Sequence, residues 1–362
     1  MTTVPAGLEF RPVHIPAHID ADDAADLRAL VEVRNAIYRE INGNDDESMD
    51  AERMRASLAD QSDELMLRWL VLEDGIVVGR LAMDVPLEEG SRIAFWLVEL
   101  REHAWGRGIG STGLAFLERQ ARAHGRSVLQ SGAAHPDRPG ERVDSPTGFG
   151  SIPLDHAARF FLRHGYRLQQ VERFSALPLD DATFARAARL LADAEAASDG
   201  YRVVRWLIPT APENIDGYAW MKSRMVTDTP SGELEYDEEV WDSARIARHE
   251  EPYLSAGMTM QVTALRHEPS GELVAFNELV IGADRTAASH QEDTLVLREH
   301  RGHRLGLRVK CAGLLSWREL APDSPRIYTY NAEENRPMLD INETIGFVPV
   351  SYSGLWKKVL DD

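Results

Sequence analysis

The chain has 362 residues, enough for two domains of ordinary size. Hydrophobic residues make up 43% and charged residues 27%, and no apolar run approaches the roughly 18 residues of a membrane span, so a soluble protein without a membrane partner is expected. Its 40 Lys and Arg against 59 Asp and Glu give a net charge of -19, which repels a phosphate backbone, excludes nucleic acid as an expected partner and suits a cationic substrate.

The N-terminal stretch lacks a basic segment followed by an apolar one, so a cytoplasmic location is expected. The single cysteine, Cys311, excludes a disulfide framework or a cysteine-based metal cluster, and no metal site is predicted.

In chain order, LEFRPVHI at 8–15 reads as a strand, followed by one or two helices and the hairpin LRWLVLEDGIVVGRLAMDV, which turns at Asp74-Gly75. IAFWLVEL at 93–100 reads as a buried strand. A glycine-bearing loop then opens a helix whose apolar stripe is Leu114, Leu117 and Ala121. A short strand at 127–133 leads into a Pro/Gly/Ser-rich loop at 135–153, expected to cover a cleft or the domain junction. A helix stopping at Gly165-Tyr166 and a last strand close the first half. The alanine-rich segment 180–200 is predicted as a helical linker between domains at 1–179 and 201–362.

The same series then repeats, which means two copies of one fold. YRVVRWLI at 201–208 is the first strand, and MTMQVTALRHEPSGELVAFNELVI is the hairpin, turning at Pro269-Ser270-Gly271. DTLVLREH at 293–300 precedes a second glycine loop, and the next helix carries the stripe Leu307, Cys311, Leu314 and Leu315. RIYTY at 326–330, a helix stopping at Gly346-Phe347 and a final strand complete the copy. His249-Glu250-Glu251 lacks the second histidine of a zinc-protease helix and reads as a solvated face, Cys311 as inert packing, and the tryptophans as core.

A strand, a glycine turn and a helix start make an anion cradle, because unpaired backbone N–H groups and the positive helix end converge there. Gly108, Gly110 and Gly113 fit the spacing of a dinucleotide fingerprint, but no acidic residue follows at the place a ribose needs. Neither turn holds the Lys-Ser/Thr pair of a P-loop.

The loops Trp105-Gly106-Arg107-Gly108-Ile109-Gly110 and Arg301-Gly302-His303-Arg304-Leu305-Gly306 follow the fourth strand of each copy. On this pattern the chain resembles the GCN5-related N-acetyltransferases, in two tandem copies. The family writes this loop [QR]-x-x-G-x-[GA]; the first copy has Trp at the leading position, and the second has Arg304 at the first glycine. The resemblance implies an α/β fold of α+β type, two acetyltransferase-like domains, each a mixed, mostly antiparallel sheet flanked by helices. It further implies acetyl-CoA as acyl donor and transfer of the acetyl group to a primary amine of a small molecule. The alternative is a decayed protein that holds or senses acyl-CoA.

By position, the resemblance gives backbone contacts to the pantetheine from Val98, Glu99 and Leu100 and from Thr294, Leu295 and Val296. It gives the diphosphate to Gly106, Arg107, Gly108, Ile109, Gly110 and Ser111, and to Gly302, His303, Arg304, Leu305, Gly306 and Leu307 after the leading Arg301. Asn335 matches a family asparagine. Asn342 and Phe161 stand where a proton-donating tyrosine is usual, so that acid is missing from both copies.

Strand alternation puts His290, Glu292, Thr294 and Val296 on one face, opposite apolar Ala94, Trp96, Val98 and Leu100 in the first copy. The second copy is therefore expected to be catalytic. The resemblance makes His290 the general base, with Glu292 and then Glu278 as alternatives; a bulge would exchange the faces. The acceptor amine and the oligomeric state are left open by the sequence.

Overall fold

The computed structural model describes residues 7–228 and 230–361 of the chain. It divides into two compact units: unit 1 comprises residues up to Val171 with Gly232–Asp237 and the segment from Ser353, and unit 2 comprises Glu172–Ser231 and Glu238–Tyr352. No helix among the described residues is long and apolar enough to cross a membrane.

Unit 1 begins with β1 (Leu8–Pro12), α1 (Ala25–Asn42) and α2 (Ala51–Ala59), then β2 (Glu64–Glu73), β3 (Ile76–Pro86) and β4 (Ile93–Leu100). The β2–β3 turn uses Asp74 and Gly75 with φ of 50° and 81°, the left-handed pair that suits the twist of a two-residue hairpin. α3 (Ile109–Ala123), β5 (Val128–His135), β6 (Arg142–Asp144), β7 (Ser151–Pro153), α4 (His156–Arg163) and the start of β8 (Arg167–Pro178) follow. Strands β1 to β4 are antiparallel neighbours and β5 joins β4 in parallel. One face of α1, through Leu27, Leu30, Val31 and Ile37, packs on Leu70 and Leu72 of β2. Within 135–153 the structure has the β6–β7 hairpin, with Ile152 fully buried, where the sequence suggests only a loop.

Unit 2 holds the end of β8, α5 (Asp181–Ala196), β9 (Tyr201–Leu207), α6 (Pro212–Ser223), α7 (Met225–Asp228) and α8 (Ser243–Ser255). Next come β10 (Thr259–His267), β11 (Leu273–Ile281), β12 (Ser289–Val296), α9 (Leu305–Leu320), β13 (Arg326–Ala332), α10 (Arg336–Ile345) and the start of β14 (Val348–Val359). Strands β9 to β12 are antiparallel, β13 joins β12 in parallel, and residues 172–178 of β8 pair antiparallel with β13. Each unit thus has a mixed, mostly antiparallel sheet flanked by helices.

The units do not follow the repeat boundaries. α5 is a helix, as its composition predicts, but it is part of unit 2's core: Phe184 and Ala187 pack with Trp317, Ile345 and Leu177. Residues 172 and 353 fall inside β8 and β14, so each of those strands gives residues to both units. The chain's last residues complete unit 1, where fully buried Trp356 stacks on Phe161 at 4.9 Å and the Leu360 N–H donates to the Ser127 carbonyl at 2.7 Å.

Cys311 is fully buried, and burial pushes its thiol up to about 12. His249-Glu250-Glu251 is a solvated face only in part, with Glu251 exposed and His249 half-buried. Glu250 is buried and accepts hydrogen bonds from the Thr210 N–H at 2.9 Å and hydroxyl at 2.5 Å, because α8 turns that side toward α6 and the end of β9. Trp69, Trp96, Trp317 and Trp356 are buried, whereas Trp220 is 57% exposed.

Candidate active site

In both units the parallel pairing breaks off early. β4 pairs with β5 only through Ile93, Ala94 and Phe95, and β12 with β13 only through Ser289 and His290. From there to Leu100 and Val296 one edge of the strand has no ladder to its parallel neighbour; side chains take some of its carbonyls, as the Ser131 hydroxyl takes that of Trp96 at 2.7 Å, and the other backbone groups have no strand partner on that edge. Val98, Glu99 and Leu100 lie on that stretch in unit 1, as do Thr294, Leu295 and Val296 in unit 2.

A single 3-10 turn follows in each unit, then the glycine loop and α3 or α9. The two loops have the same backbone course. Gly106 and Gly302 have φ of 71° and 88°, and Gly108 and Arg304, the N-cap residues, have φ of 83° and 55°. Arg304 therefore occupies a left-handed position that normally favours glycine. Neither N-cap side chain bonds to the helix, so the first-turn N–H groups, from Ile109, Gly110 and Ser111 and from Leu305, Gly306 and Leu307, are uncapped. Within unit 1, the Ser111 hydroxyl and His164 Nε2 share a hydrogen bond at 2.9 Å.

The leading residues do one job with different chemistry. Arg301 Nε donates to the Val296 carbonyl at 3.2 Å, and the Trp105 indole N–H donates to the Leu100 carbonyl at 2.9 Å. Tryptophan thus supplies the donor that arginine supplies in the second loop, and its ring also stacks on His156 at 3.8 Å. Arg301 lies 3.5 Å from the buried carboxylate of Asp228.

The deciding difference between the units lies in the fourth strand. β3 and β4 keep unbroken register from Gly79↔Leu100 to Asp84↔Phe95. In unit 2, Asn277 pairs with Thr294 but Leu279 with Gln291, so Glu292 and Asp293 together oppose Glu278. This is a β-bulge, and it exchanges the faces. The single face expected for His290, Glu292, Thr294 and Val296 is therefore broken. Thr294 accepts from Asn277 Nδ2 at 2.9 Å and Val296 packs near Gly306, both on the α9 side, while His290 shares the opposite side with Glu278.

That opposite side carries a buried charged network the sequence does not announce. Glu278 is 1% exposed and accepts from the Tyr218 hydroxyl and, at 3.2 Å, from Lys222 Nζ. Lys222 reaches Asp293 at 2.6 Å and lies 5.1 Å from the Trp241 ring centre. The Asp293 N–H points at Glu278 Oε2 at 3.4 Å. Burial pushes Glu278 up to about 7 against the opposing pull of Lys222. Burial also works against the charges of Lys222 and Asp293, but their mutual attraction wins: the amine is held above its ordinary range and the carboxyl below. Burial drives His249 down to about 3, with the Lys222 charge adding to it.

His290 is half-buried, 6.1 Å from the Tyr328 ring, and Glu292 is exposed on the bulge. His290, Glu292 and Glu278 are thus gathered on one side of the sheet, with Asp293, Lys222 and Tyr218 added. Alternation rules alone do not find Lys222, because α6 comes to β11 only in the folded unit. Unit 1 has no such acid–base face: Arg80 pairs with Glu99 at 2.6 Å, and Glu99 with burial pushes Tyr38 up to about 12.

At the position of the missing tyrosines, Phe161 is packed between Trp96 and Trp356. Asn342 is buried, accepts from Lys310 Nζ at 2.7 Å and donates to Asn331 Oδ1 at 2.6 Å. Lys310 is fully enclosed, and burial lowers it to about 7. Asn335 caps α10 by position without a side-chain bond.

Residues 28–139 match the model of the acetyltransferase (GNAT) family. The chain is similar in structure to a tandem GNAT protein from the clavulanic acid biosynthesis pathway, with a TM-score of 0.74 and 24% identity over 98% of this chain and 99% of that one. The chain has the tandem GNAT fold. The chain is also similar in structure to a GCN5-related N-acetyltransferase from Sphaerobacter thermophilus, with a TM-score of 0.63 and 16% identity over 99% of this chain and 98% of that one. A putative acetyltransferase from Pyrococcus horikoshii gives 0.55 and 13%, covering 99% and 91%. At these identities the likeness is one of fold. No curated protein matches the sequence.

Proposed function

We propose that unit 2 of this tandem GNAT protein transfers an acetyl group from acetyl-CoA to a primary amine of a small molecule. The observation that carries this reading is the bulge at Glu292–Asp293. It leaves His290 and two carboxylates of β12 on the side of the sheet where Glu278 of β11 lies, on a strand whose other edge is open.

The residues present fit the donor. Uncapped N–H groups from Gly302 to Leu307 offer hydrogen bonds and positive helix-end potential to a diphosphate, and Arg301 adds charge. The open edge from Thr294 to Val296, whose last carbonyl already accepts from Arg301, offers its remaining backbone groups to an extended amide-bearing arm. Acetyl-CoA, when bound, supplies the activated acyl group that an amine attacks. Unit 1 offers the same loop from Gly106 to Ser111 but an ion-paired face, which supports binding there without chemistry.

A protonated amine is drawn by Glu292 and the partly exposed Asp293, whose side chain keeps 37% of its surface. It must lose a proton to attack. His290 serves as the base, since a half-buried imidazole on this side reaches solvent, and exposed Glu292 is the alternative. Glu278 is sealed behind Tyr218 and Lys222, so it acts through its charge on the neighbouring carboxylate and on Lys222. The Phe161 and Asn342 substitutions favour a second reading, an acyl-CoA-holding protein without turnover.

The test joins a binding titration of acetyl-CoA to an acetyl-transfer assay over polyamines, amino sugars and amino-acid derivatives. His290→Ala or Glu292→Gln is expected to slow transfer by roughly 10²-fold with acetyl-CoA binding unchanged. Binding without transfer to any amine establishes the second reading. Near-normal turnover in both variants removes the base assignment.

A further inference from the structure

Beside its donor loop, unit 2 carries an imidazole cluster. Tyr201 lies at the start of β9, His267 at the end of β10, His300 in the 3-10 turn and His303 within the loop. The Tyr201 hydroxyl and His300 Nδ1 are 3.0 Å apart, and His267 Nδ1 and the Ser270 hydroxyl 2.9 Å. The His267 and His300 ring centres are 5.0 Å apart, and those of Tyr201 and His303 5.9 Å. In His267 and His300, Nδ1 is thus engaged and Nε2 is the ring nitrogen without a hydrogen bond among the described residues. Two imidazoles, each held through Nδ1, lie close together, one of them in the turn that leads into the loop.

Unit 1 answers the same place differently. There Glu73, at the end of β2, holds Arg107 of the loop in a two-bond ion pair at 2.6 and 2.7 Å. A carboxylate beside the loop repels a second anion and occupies the loop's cation. In unit 2 His267 stands at the end of the corresponding strand and His303 at the loop position of Arg107, so the Glu73–Arg107 pair has imidazoles at its two positions, and a different carboxylate, that of Asp228, lies 3.5 Å from Arg301.

We propose that Tyr201, His267, His300 and His303 form a proton-linked subsite for a phosphate monoester, the group that coenzyme A carries on its ribose in addition to the diphosphate. The inference rests on the reading of residues 302–307 as the diphosphate cradle. The chemistry suits the ligand: a phosphate monoester takes up its second proton near pH 6, and an imidazole titrates close by, so each stabilises the charge of the other. A diphosphate diester has no such proton in this range.

The charged groups around His300 set the direction. Burial holds its pKa below the ordinary imidazole value, and His267 and His303 reinforce this, while Glu299 and Glu272 oppose it. Arg301 and Arg304 lie in the same loop, Arg266 and Glu268 flank His267, and Arg202 follows Tyr201. His300 in an empty subsite is therefore biased toward its neutral form, and an anion bound beside it draws a proton onto the imidazole.

Titration of the full chain with acetyl-CoA and with acetyl-3′-dephospho-CoA at pH 8, 7 and 6, at constant ionic strength, tests this. Acetyl-CoA is expected to bind about tenfold more tightly at pH 6 than at pH 8, the effect of a one-unit pKa shift on ligand binding. The dephospho form is expected to show little change. A chain with both His267→Gln and His300→Gln is expected to lose the pH dependence. Equal pH slopes for the two ligands, or an unaltered slope in that variant, overturns the subsite. Arg301→Glu separates the two levels: if it weakens both ligands while their slopes stay equal, only the subsite fails, and if it leaves both unchanged at every pH, the cradle reading fails with it.

Discussion

Lys222 is the residue on which unit 2's charged side depends. It is buried against the equally buried Glu278 and reaches the partly exposed Asp293, so removing it strands Glu278 without a countercharge. Lys222→Met is expected to cost about 3–5 kcal/mol, the usual penalty for breaking a buried pair by deleting one partner, read by denaturant unfolding. Adding Glu278→Gln to it is expected to return part of that loss; a single-variant loss below about 1 kcal/mol shows that the network carries little stability. Glu278 also sets a pH dependence. Its folded value, about 7, lies above its ordinary 4.5, so the folded state holds a proton the unfolded chain has released. That contribution is fully present below the ordinary value and is lost as the pH rises through the folded one. The stability of the native chain minus that of Glu278→Gln is therefore expected to fall between about pH 4.5 and 7, and a flat difference contradicts the raised value.

At the scale of elements, the two glycine loops show how one backbone course tolerates different side chains. The cradle is built from main-chain N–H groups, so sequence identity matters mainly where φ is positive or where the leading residue ties back to the strand. Arg304 at φ 55° bears the cost of a left-handed non-glycine residue. Arg304→Gly is expected to raise stability by up to about 1 kcal/mol, strain relief less the entropy glycine adds to the unfolded chain. A thermal melt that falls instead shows that the Arg304 side chain makes a contact worth more than the strain. Trp105→Phe removes the donor to Leu100 while keeping the ring against His156, and a loss of about 1 kcal/mol is expected, one hydrogen bond. Substitution by Arg restores the donor and is expected to recover most of it. The donor role of Trp105 was not legible from a motif written for arginine or glutamine, because the motif names a residue and the strand carbonyl asks only for an N–H.

On the scale of the molecule, the chain's last segment belongs to the first unit. Trp356 is fully buried against Phe161 there, and Lys358 pairs with Glu118 at 2.7 Å. Trp356→Ala is expected to cost about 3–5 kcal/mol, and native-state hydrogen exchange should show the loss in unit 1 residues such as those of α4 and β5. A loss confined to residues of the second sequence copy contradicts the assignment. Expression of residues 1–171 alone is likewise expected to give a poorly folded product that a peptide of residues 353–362 improves.

What the sequence determined by itself is local and periodic: the two copies, the order of strands and helices, the Asp74-Gly75 turn, the paired loops and the helix stops at Gly165 and Gly346. Each follows from backbone preferences and from the spacing of apolar residues, which act over a few positions. What only the tertiary structure decided depends on partners distant in sequence. The bulge at Glu292–Asp293 is set by register against β11, and it moves His290 to the side opposite Thr294 although the intervening residues alternate as a plain strand would. Glu278, Asp293 and Lys222 look like ordinary surface charges until the sheet and α6 enclose Glu278 and Lys222 and bring the partly exposed Asp293 against the lysine. The exchange of strand ends between units leaves no local mark either, because a strand's residues carry the same alternation whichever unit they complete.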